Sequence, residues 1–191
     1  MAETAAKTDY FVGVDLGGTK ILAGVFDDKL NCLGRTKMST KSERGPEEVI
    51  ERIARCARDV VDECDLDFKQ VRAMGIGAPG AVDPETGRVI FAPNLQWQDV
   101  PLKKLMEKQM GVPTAVENDC NSATLGVFEK ELQSKPRYMV GIFIGTGIGG
   151  GFIIDGKLYP GASGTAAEIG HWSFRLAVPS AIAATAGALK R

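Results

Sequence analysis

The sequence predicts an α/β protein built as two related lobes. Short apolar runs typical of strands alternate with long amphipathic helical patterns, which indicates strands and helices layered on a common core. A unit of strand, glycine-rich loop and strand occurs twice, at residues 11–26 and at residues 138–154. Because such a repeat indicates two related units, we predict a first lobe at residues 1–130 and the start of a second lobe at residues 131–191.

The first lobe begins with three predicted strands and a helix. Residues 11–16 and 20–26 are apolar runs joined by glycines, which predicts a β-hairpin, and residues 30–38 form a third strand. Pro46 precedes two acids, the pattern of a helix N-terminus. Apolar residues then recur every three or four positions as far as Cys64, so we predict one amphipathic helix with a buried face.

The elements that follow alternate in the same way. We predict strands at residues 71–78, 88–91, 114–116, 138–144 and 152–154, and helices at residues 101–110 and 122–132. Asn118, Asp119 and Asn121 stand between the third of these strands and the second helix, and each is suited to cap that helix.

The composition is that of an ordinary globular protein. Hydrophobic residues make up 44% and charged residues 25% of the 191 residues, and the formal net charge is −1. Lysines and arginines are scattered, so we expect no nucleic acid partner and no basic membrane-binding face. Four cysteines without C-x-x-C spacing predict free thiols. The polar N-terminus is not a signal peptide and no apolar run is long enough to span a membrane, so we expect a cytoplasmic protein.

The first glycine loop, DLGGTK at residues 15–20, has the composition of a phosphate-binding turn. Glycines let the backbone approach a phosphate and present N–H groups to its oxygens. A carboxylate at the end of the preceding strand can hold Mg²⁺ through its water shell. The residues assigned to this site are Asp15, Gly17, Gly18, Thr19 and Lys20. A tight hairpin turn with an exposed acid is the alternative interpretation.

The second glycine loop, GTGIGGG at residues 145–151, also favours phosphate binding. Glycine is destabilising by about 0.5–1 kcal/mol relative to alanine within a strand, so five glycines are costly for a purely structural turn. No Gly-Lys-Ser/Thr ends the loop, so it is not a Walker A loop, and a strand rather than a helix follows it, unlike a dinucleotide-binding loop. We therefore predict contacts between a nucleotide phosphate and Gly145, Thr146 and Gly147.

Asp119 is the candidate catalytic base. It lies where a predicted strand meets a helix, and a carboxylate there can accept a proton from a substrate hydroxyl. Helix capping is the alternative role, because aspartate is a preferred N-cap residue. The two glycine loops, one on each side in the sequence, favour the base.

Glu168 and His171 form a second polar pair with E-x-x-H spacing. On a helix, residues three apart share a face, so both side chains could reach one ligand. His171 is the only histidine in the sequence, and a structural role for it is the alternative. A metal site would need further ligands, which the neighbouring sequence does not supply.

These segments, in this order, resemble the ROK family of bacterial sugar kinases and sugar-responsive repressors over about residues 10–171, and the ATP-dependent glucokinases most of all. Residues 15–20 and 145–151 are similar to the family's two phosphate motifs, and residues 117–121 (ENDCN) to its sugar-site motif. The resemblance implies that Asp119 is the catalytic base. It also implies sugar contacts by Asn118, Glu168, His171 and, in the segment PNLQW, Asn94; an ordinary loop asparagine is the alternative for Asn94.

The resemblance also implies a fold and a reaction. The family fold is the actin-like pair of ribonuclease H-like α/β lobes with the substrates between them, so the first lobe would be complete here and the second only partly present. Asp119 would take the proton of a hexose hydroxyl, most simply the 6-OH of glucose, as that oxygen attacks the γ-phosphate of ATP. Mg²⁺ near Asp15 and the two glycine loops would hold the phosphates.

Two departures from the family pattern affect these expectations. The family's histidine of E-x-G-H is also a Zn²⁺ ligand, completed by a cysteine-rich loop directly downstream, whereas no cysteine follows Cys120 here. Residues 175–184 resemble the helix that comes after that loop, so His171 would bind zinc only if the missing loop exists. The sequence also ends at Arg191, before the rest of the second lobe, so this chain by itself is expected to be a poor kinase or none.

Two other functions stay open. A sugar-responsive transcriptional repressor of the family would carry an N-terminal helix-turn-helix, and only about ten residues precede the first predicted strand. A non-catalytic sugar-binding fragment would bind a sugar without turnover. Among kinases, N-acetylmannosamine, N-acetylglucosamine and fructose are alternative substrates, and family members are commonly dimers or tetramers.

Overall fold

The structure, a computed structural model, describes residues 9–145, 147–162 and 164–171. The predicted phosphate contact Thr146, the helix expected at residues 175–184 and the place of the expected zinc loop lie outside the described residues. For His171 the backbone is described and the side chain is not.

The described residues form three β-sheets and three α-helices, with shorter helical turns between them. The strands are β1 (Tyr10–Leu16), β2 (Lys20–Phe26), β3 (Cys32–Ser39), β4 (Val71–Ala78), β5 (Ala81–Asp83), β6 (Arg88–Ala92), β7 (Trp97–Val100), β8 (Thr114–Asn118), β9 (Met139–Ile144), β10 (Ile148–Ile154) and β11 (Lys157–Leu158). The α-helices are α1 (Pro46–Glu63), α2 (Leu102–Met110) and α3 (Asp119–Gly126). The short turns are 3₁₀-helices at Ser42–Arg44, Phe68–Gln70, Pro93–Leu95 and Ile169–His171, and a π-helix at Val127–Glu131.

The main sheet has five strands in the order β3-β2-β1-β4-β8. The predicted hairpin is confirmed, because β1 and β2 pair antiparallel, and β3 continues the meander. β4 and β8 are added parallel to β1, with Asp15, Gly77 and Glu117 in register across the three strands. The carboxyl ends of β1, β4 and β8 therefore meet at one edge of the sheet.

Helices α1 and α2 cover one face of this sheet and form the main core with it. Alternation along β1 directs Val12, Val14 and Leu16 into this core. The predicted helix is confirmed from Pro46 with its acidic first turn, and the helix places its predicted apolar face against the sheet. Cys64 ends that face as the half-buried C-cap residue.

Helix α3 lies on the opposite face of the sheet. A Cβ atom on Gly77 would lie 3.4 Å from the Cα atom of Asp119 and 3.4 Å from the Cβ atom of Ser122, so the start of α3 rests directly on β4. The helix begins at Asp119, three residues before its predicted start, and continues as the π-helix Val127–Glu131. The earlier start follows from Asn118, whose side chain caps the first turn.

A second sheet, in the order β11-β10-β9, packs on the other side of α3. The predicted extent of the second glycine loop was wrong, because β10 already begins at Ile148 and Gly149–Gly151 belong to this strand. A Cβ atom on Gly149 would overlap Cys120 Sγ, and one on Gly151 would overlap Thr124 Oγ1. These glycines therefore permit the close approach of α3 to β10, which is a packing role.

A third sheet, β5-β6-β7, extends beyond the carboxyl end of β4. Its strands β5 and β7 were not predicted, since three or four residues are too few to establish an alternating pattern. The division of the chain into lobes at residues 130 and 131 stays a prediction. None of the described helices is both long enough and apolar enough to cross a membrane.

Candidate active site

Asp15 and Asp119 are brought together by the parallel pairing of β1, β4 and β8. Asp15 is the penultimate residue of β1, and Asp119 follows the last residue of β8 directly. Both side chains line one cavity of about 590 Å³, with Gly77 of the intervening strand between them. Two predicted site residues that are 104 positions apart in the sequence thus face a common space.

The electrostatics of this pair favour a cation. Desolvation by the surrounding protein and the nearby Asp119 carboxylate raise the pKa of Asp15, although its side chain stays partly exposed. Among the described residues, no lysine or arginine forms a salt bridge with either carboxylate. Two acids without a basic partner are a donor set suited to a hard, oxygen-seeking ion such as Mg²⁺.

Asn118 caps α3. Its Oδ1 atom accepts hydrogen bonds from the backbone N–H groups of Cys120 (2.9 Å) and Asn121 (3.0 Å), and its Nδ2 donates to the carbonyl oxygen of Gly80 (3.0 Å). Asp119 is instead the first residue of the helix, and its Oδ1 accepts from Cys120 N–H at 2.8 Å. Helix capping is therefore done by Asn118, and the role of Asp119 as a base stays a prediction.

Cys120, which was not among the predicted site residues, has a pKa that is raised partly by the acidic residues of the site. Burial is the main cause that raises the pKa of its thiol to about 12, followed by the charge of Asp119, a hydrogen bond to that carboxylate, and the charges of Glu168 and Asp15. The half-buried Glu168 therefore lies close enough to Asp119 to act on the same thiol. Three of the predicted site residues, Asp15, Asp119 and Glu168, therefore all lie near Cys120.

Glu168 and His171 do not lie on one helix. Only Ile169–His171 is helical, as a single 3₁₀ turn, and Glu168 precedes it. The condition for a shared helical face is therefore not met, and a common ligand for the two side chains stays a prediction. A tight bend causes this difference, since Ala167 has a left-handed backbone (φ 65°) and its carbonyl oxygen accepts from the Ile169 N–H at 2.7 Å.

The first glycine loop is a tight turn, and a residue outside the loop holds it by two hydrogen bonds. The Gly17 N–H donates to the carbonyl oxygen of Lys20 at 2.9 Å, while Thr19 and Lys20 stay exposed. The brace is Thr40, which is fully buried: its Oγ1 donates to the carbonyl oxygen of Gly17 at 2.6 Å and its N–H donates to that of Thr19 at 2.9 Å. Sequence reasoning missed Thr40, whose only signal is its position directly after the strand that pairs with β2.

Asn94 lies against the same loop. It sits in the exposed 3₁₀ turn Pro93–Leu95, and a Cβ atom on Gly18 would be 2.8 Å from its carbonyl oxygen. The predicted sugar contact and the predicted phosphate loop are therefore neighbours, although the five strands β2 to β6 and helix α1 separate them in the sequence.

Gly145 and Gly147, the two described residues of the second glycine turn, are exposed. The Gly145 N–H donates to the carbonyl oxygen of Gly147 at 2.9 Å, and a Cβ atom on either glycine would have no atom within 4 Å. The packing of the described residues therefore does not explain these two glycines, in contrast to Gly149 and Gly151.

The residues present suit the two implied metal ions, Zn²⁺ and Mg²⁺, to different degrees. In the described part of the chain, no three His, Cys, Asp or Glu side chains form a group that could hold a metal ion. The zinc site does not fit these residues, because its cysteine ligands have no counterpart after Cys120 in the sequence. Mg²⁺ fits better, since it needs few protein carboxylates and keeps most of its water.

Two carboxylates that face one cavity at the carboxyl ends of the parallel strands β1, β4 and β8 place the candidate site at the edge of the sheet where α/β proteins commonly bind ligands. This chain belongs to the ROK family, whose sequence profile matches residues 11–185.

Two relatives share this region. A glucokinase of Streptomyces coelicolor is 42% identical over 160 residues, which are 84% of this chain and 48% of that protein. A putative xylose repressor of Caldicellulosiruptor sp. is 30% identical over 171 residues, which are 90% of this chain and 43% of that protein. The chain spans about half the length of the curated relatives it matches.

The solved structures agree with the fold. A ROK-family glucokinase from Streptomyces griseus, in complex with glucose and AMPPNP, superposes with a TM-score of 0.78 at 38% identity over 87% of this chain and 51% of that one. The expected α/β fold of the actin-like ROK sugar kinases is thereby confirmed, with about half of it present in this chain.

Proposed function

We propose that the complete protein transfers a phosphoryl group from ATP to a hexose, and that the hexose is glucose. The observation that supports this most is that Asp15 and Asp119 line the same cavity. Asp15 is also the first residue of the first glycine loop. The glucokinase of S. coelicolor and the S. griseus glucokinase with glucose and AMPPNP support the choice of sugar and of nucleotide.

In this proposal Asp119 is the general base. Its carboxylate accepts the proton of the sugar 6-OH while the hydroxyl oxygen forms a bond to the γ-phosphorus, and the bond from that phosphorus to the departing ADP oxygen breaks. Phosphoryl transfer depends mainly on positioning and charge stabilisation. The contribution of the fold is therefore to hold this carboxylate at the end of β8.

The two glycine loops receive the phosphates. Because Gly17 and Gly145 use their N–H groups within the loops, the N–H groups of Gly18, Thr19 and Gly147 are the ones offered to phosphate oxygens. Asp15 would hold Mg²⁺, which neutralises phosphate charge when bound. The residues proposed for the nucleotide site are Asp15, Gly17, Gly18, Thr19, Lys20, Gly145, Thr146 and Gly147.

The sugar contacts are assigned to Asn94, Asn118, Glu168 and His171. Asn94 is exposed beside the first glycine loop, and Glu168 shares the neighbourhood of Asp119. Asn118 uses its oxygen to cap α3 and one N–H on Gly80, so its second N–H is the group offered to a sugar hydroxyl.

The wider organisation follows the same proposal. Residues 1–130 form the first lobe and residues 131–191 the start of the second, with the substrates between them. The complete protein acts in the cytoplasm as a homo-oligomer and binds neither nucleic acid nor membranes.

The test is a coupled assay of glucose phosphorylation by the complete gene product. Asp119→Asn removes the base and keeps the size of the side chain, so we expect kcat to fall by about 10²–10⁴-fold. The control is Asp28→Asn, which removes an exposed acid on the β2–β3 turn. Full activity of the Asp119→Asn variant contradicts the base, and absence of turnover in the unmodified protein contradicts the kinase.

A second candidate is a sugar-responsive repressor or sugar-binding protein without turnover, which the xylose-repressor relative favours. Calorimetry with glucose and with AMPPNP separates the two. Binding of glucose without binding of the nucleotide supports this second candidate.

A further inference from the structure

The turn that carries Asp119 has no linking residue. β8 ends at Asn118 and α3 begins at Asp119, so the direction of the Asp119 side chain is set by the backbone at this junction. We propose that Glu117 is a positioning residue, whose carboxylate holds this junction in the geometry that points Asp119 into the cavity. The catalytic consequence rests on the proposed kinase function, and the geometry does not.

Glu117 connects the strand side of the junction to its helix side. Its Oε1 atom accepts a hydrogen bond from the backbone N–H of Asn118 at 2.8 Å and another from Nδ2 of Asn121 at 3.0 Å. Both bonds use one oxygen, and the two donors lie on either side of Asp119 in the sequence. The base is thereby enclosed in a short hydrogen-bonded loop.

Asn121 depends on Glu117 for its side-chain bond. Its side chain is 2% exposed, and its Oδ1 atom has no hydrogen-bond partner among the described residues. The bond from Nδ2 to Glu117 is thus the side-chain hydrogen bond that secures a buried amide, and loss of such a bond is strongly unfavourable.

Glu117 does not line the cavity of the two aspartates. It is in register with Gly77 and Asp15 across the parallel strands, so its side chain lies on the same face of the sheet as that of Asp15. It lines a groove beneath α3 with Leu125 that adjoins the cavity at Gly77, whereas Asp119 lines the cavity itself. In this proposal Glu117 therefore acts through Asp119.

The geometry distinguishes a hydrogen-bonding role from a charge role. Both donors to Glu117 are uncharged, and among the described residues it forms no salt bridge. Glutamine keeps an Oε1 acceptor at the same reach, while alanine removes it. A displacement of about 1 Å at a reacting group can reduce catalysis by about 10²-fold.

The experiment compares Glu117→Gln, Glu117→Ala and Asn121→Ala in the complete gene product, by steady-state kinetics and by amide hydrogen exchange of residues 118–121. We expect Glu117→Ala to lower kcat by about 10–100-fold with KM for ATP changed less than threefold, and Glu117→Gln to restore most of kcat. A general loss of stability would instead reduce the amount of folded enzyme and leave kcat per active site unchanged.

Hydrogen exchange tests the proposal even if the protein proves not to be a kinase. We expect the Asn118 N–H to exchange at least about tenfold faster in Glu117→Ala than in the unmodified protein, and to return towards its original rate in Glu117→Gln. Asn121→Ala is expected to produce part of the same increase. Unchanged exchange at residues 118–121 in Glu117→Ala overturns the proposal, as does a kcat that falls equally in the glutamine and alanine variants.

Discussion

A Cβ atom on Gly18 would lie only 2.8 Å from the carbonyl oxygen of Asn94. This contact joins the first glycine loop to the turn that follows β6, so the proposed phosphate site and the proposed sugar site share one boundary. Asn94 cannot withdraw freely, because Leu95 beside it is fully buried.

The first prediction concerns this boundary. Gly18→Ala forces the loop and the Asn94 turn apart, so we expect KM for both ATP and glucose to rise by about tenfold, which corresponds to about 1.4 kcal/mol for each. Steady-state kinetics of the complete gene product measure both constants. The control is Gly111→Ala, a glycine substitution far from the site. Only its KM values for ATP and glucose are compared, and both are expected to stay unchanged. If neither KM value rises in Gly18→Ala, the contact between Gly18 and Asn94 does not couple the two sites.

The second prediction concerns Thr40, the buried brace of the same loop. Thr40→Val keeps the shape of the side chain and removes the hydroxyl that donates to Gly17, which leaves a carbonyl group unpaired. We expect the free energy of unfolding to fall by about 1–3 kcal/mol, measured by urea denaturation. Thr40→Ser keeps the donor, so it is expected to lose less. Equal losses in the two variants would assign the effect to packing.

The third prediction concerns the pH dependence of stability at Asp15. Its folded-state pKa is raised, mainly by desolvation and then by Asp119, so the ionised carboxylate disfavours the folded state. This penalty is absent while the carboxyl group is protonated, and it develops as pH rises through the raised pKa. Asp15→Asn is therefore expected to be more stable than the unmodified chain at pH 7, with an advantage that shrinks as pH falls towards 4.

Asp27 is a matched control of opposite sign for this measurement. Hydrogen bonds from the Asn31 side chain and backbone, then from Lys29, lower the pKa of Asp27, so its charged form favours the folded state. Asp27→Asn is expected to destabilise the chain near neutral pH, and the loss should diminish as pH falls through the lowered pKa. Urea denaturation between about pH 3 and 8 compares both variants, since the contribution of Asp27 changes below the ordinary pKa of 3.8 and that of Asp15 changes above it. If the two substitutions change the free energy of unfolding in the same direction at pH 7, the assignment is contradicted.

The fourth prediction concerns the glycines that face α3. A Cβ atom on Gly151 would overlap Thr124, and the nearest atoms belong to a branched side chain held by its own hydrogen bond to the Cys120 carbonyl oxygen. We expect Gly151→Ala to lower the free energy of unfolding by about 1–3 kcal/mol, as overpacking does. Gly145→Ala, where the added atom meets nothing within 4 Å, should change stability by less than about 1 kcal/mol. Similar losses in both would contradict the packing role.

Local elements of the fold were largely predictable. The β1–β2 hairpin, α1 from Pro46 and β4 at Val71–Ala78 follow from short-range patterns of apolar residues and from residues that begin or end an element. Prediction failed where a residue's role depends on what faces it. Gly149–Gly151 read as a loop because nothing in their own segment reveals that α3 lies against them.

The candidate site shows the same division. Asp15, Asp119 and the glycine loops could be named from the sequence, because their residue types and spacings match a known chemistry and a known family. Thr40 carries no such signal, and the motif at residues 117–121, which contains Glu117 and Cys120, does not reveal what these two residues do. The roles of all three follow from hydrogen bonds or proximity to residues that belong to other elements or to the far side of a turn.

The sequence by itself determined the local elements, the family and the residues able to do phosphate and hydroxyl chemistry. Only the tertiary structure decided that β4 lies between β1 and β8, which places Asp15 and Asp119 in one cavity, and that Asn118 rather than Asp119 caps α3. The physical reason is that periodicity and capping are short-range properties of the chain. The order of parallel strands is instead decided by which distant surfaces bury the most apolar area together.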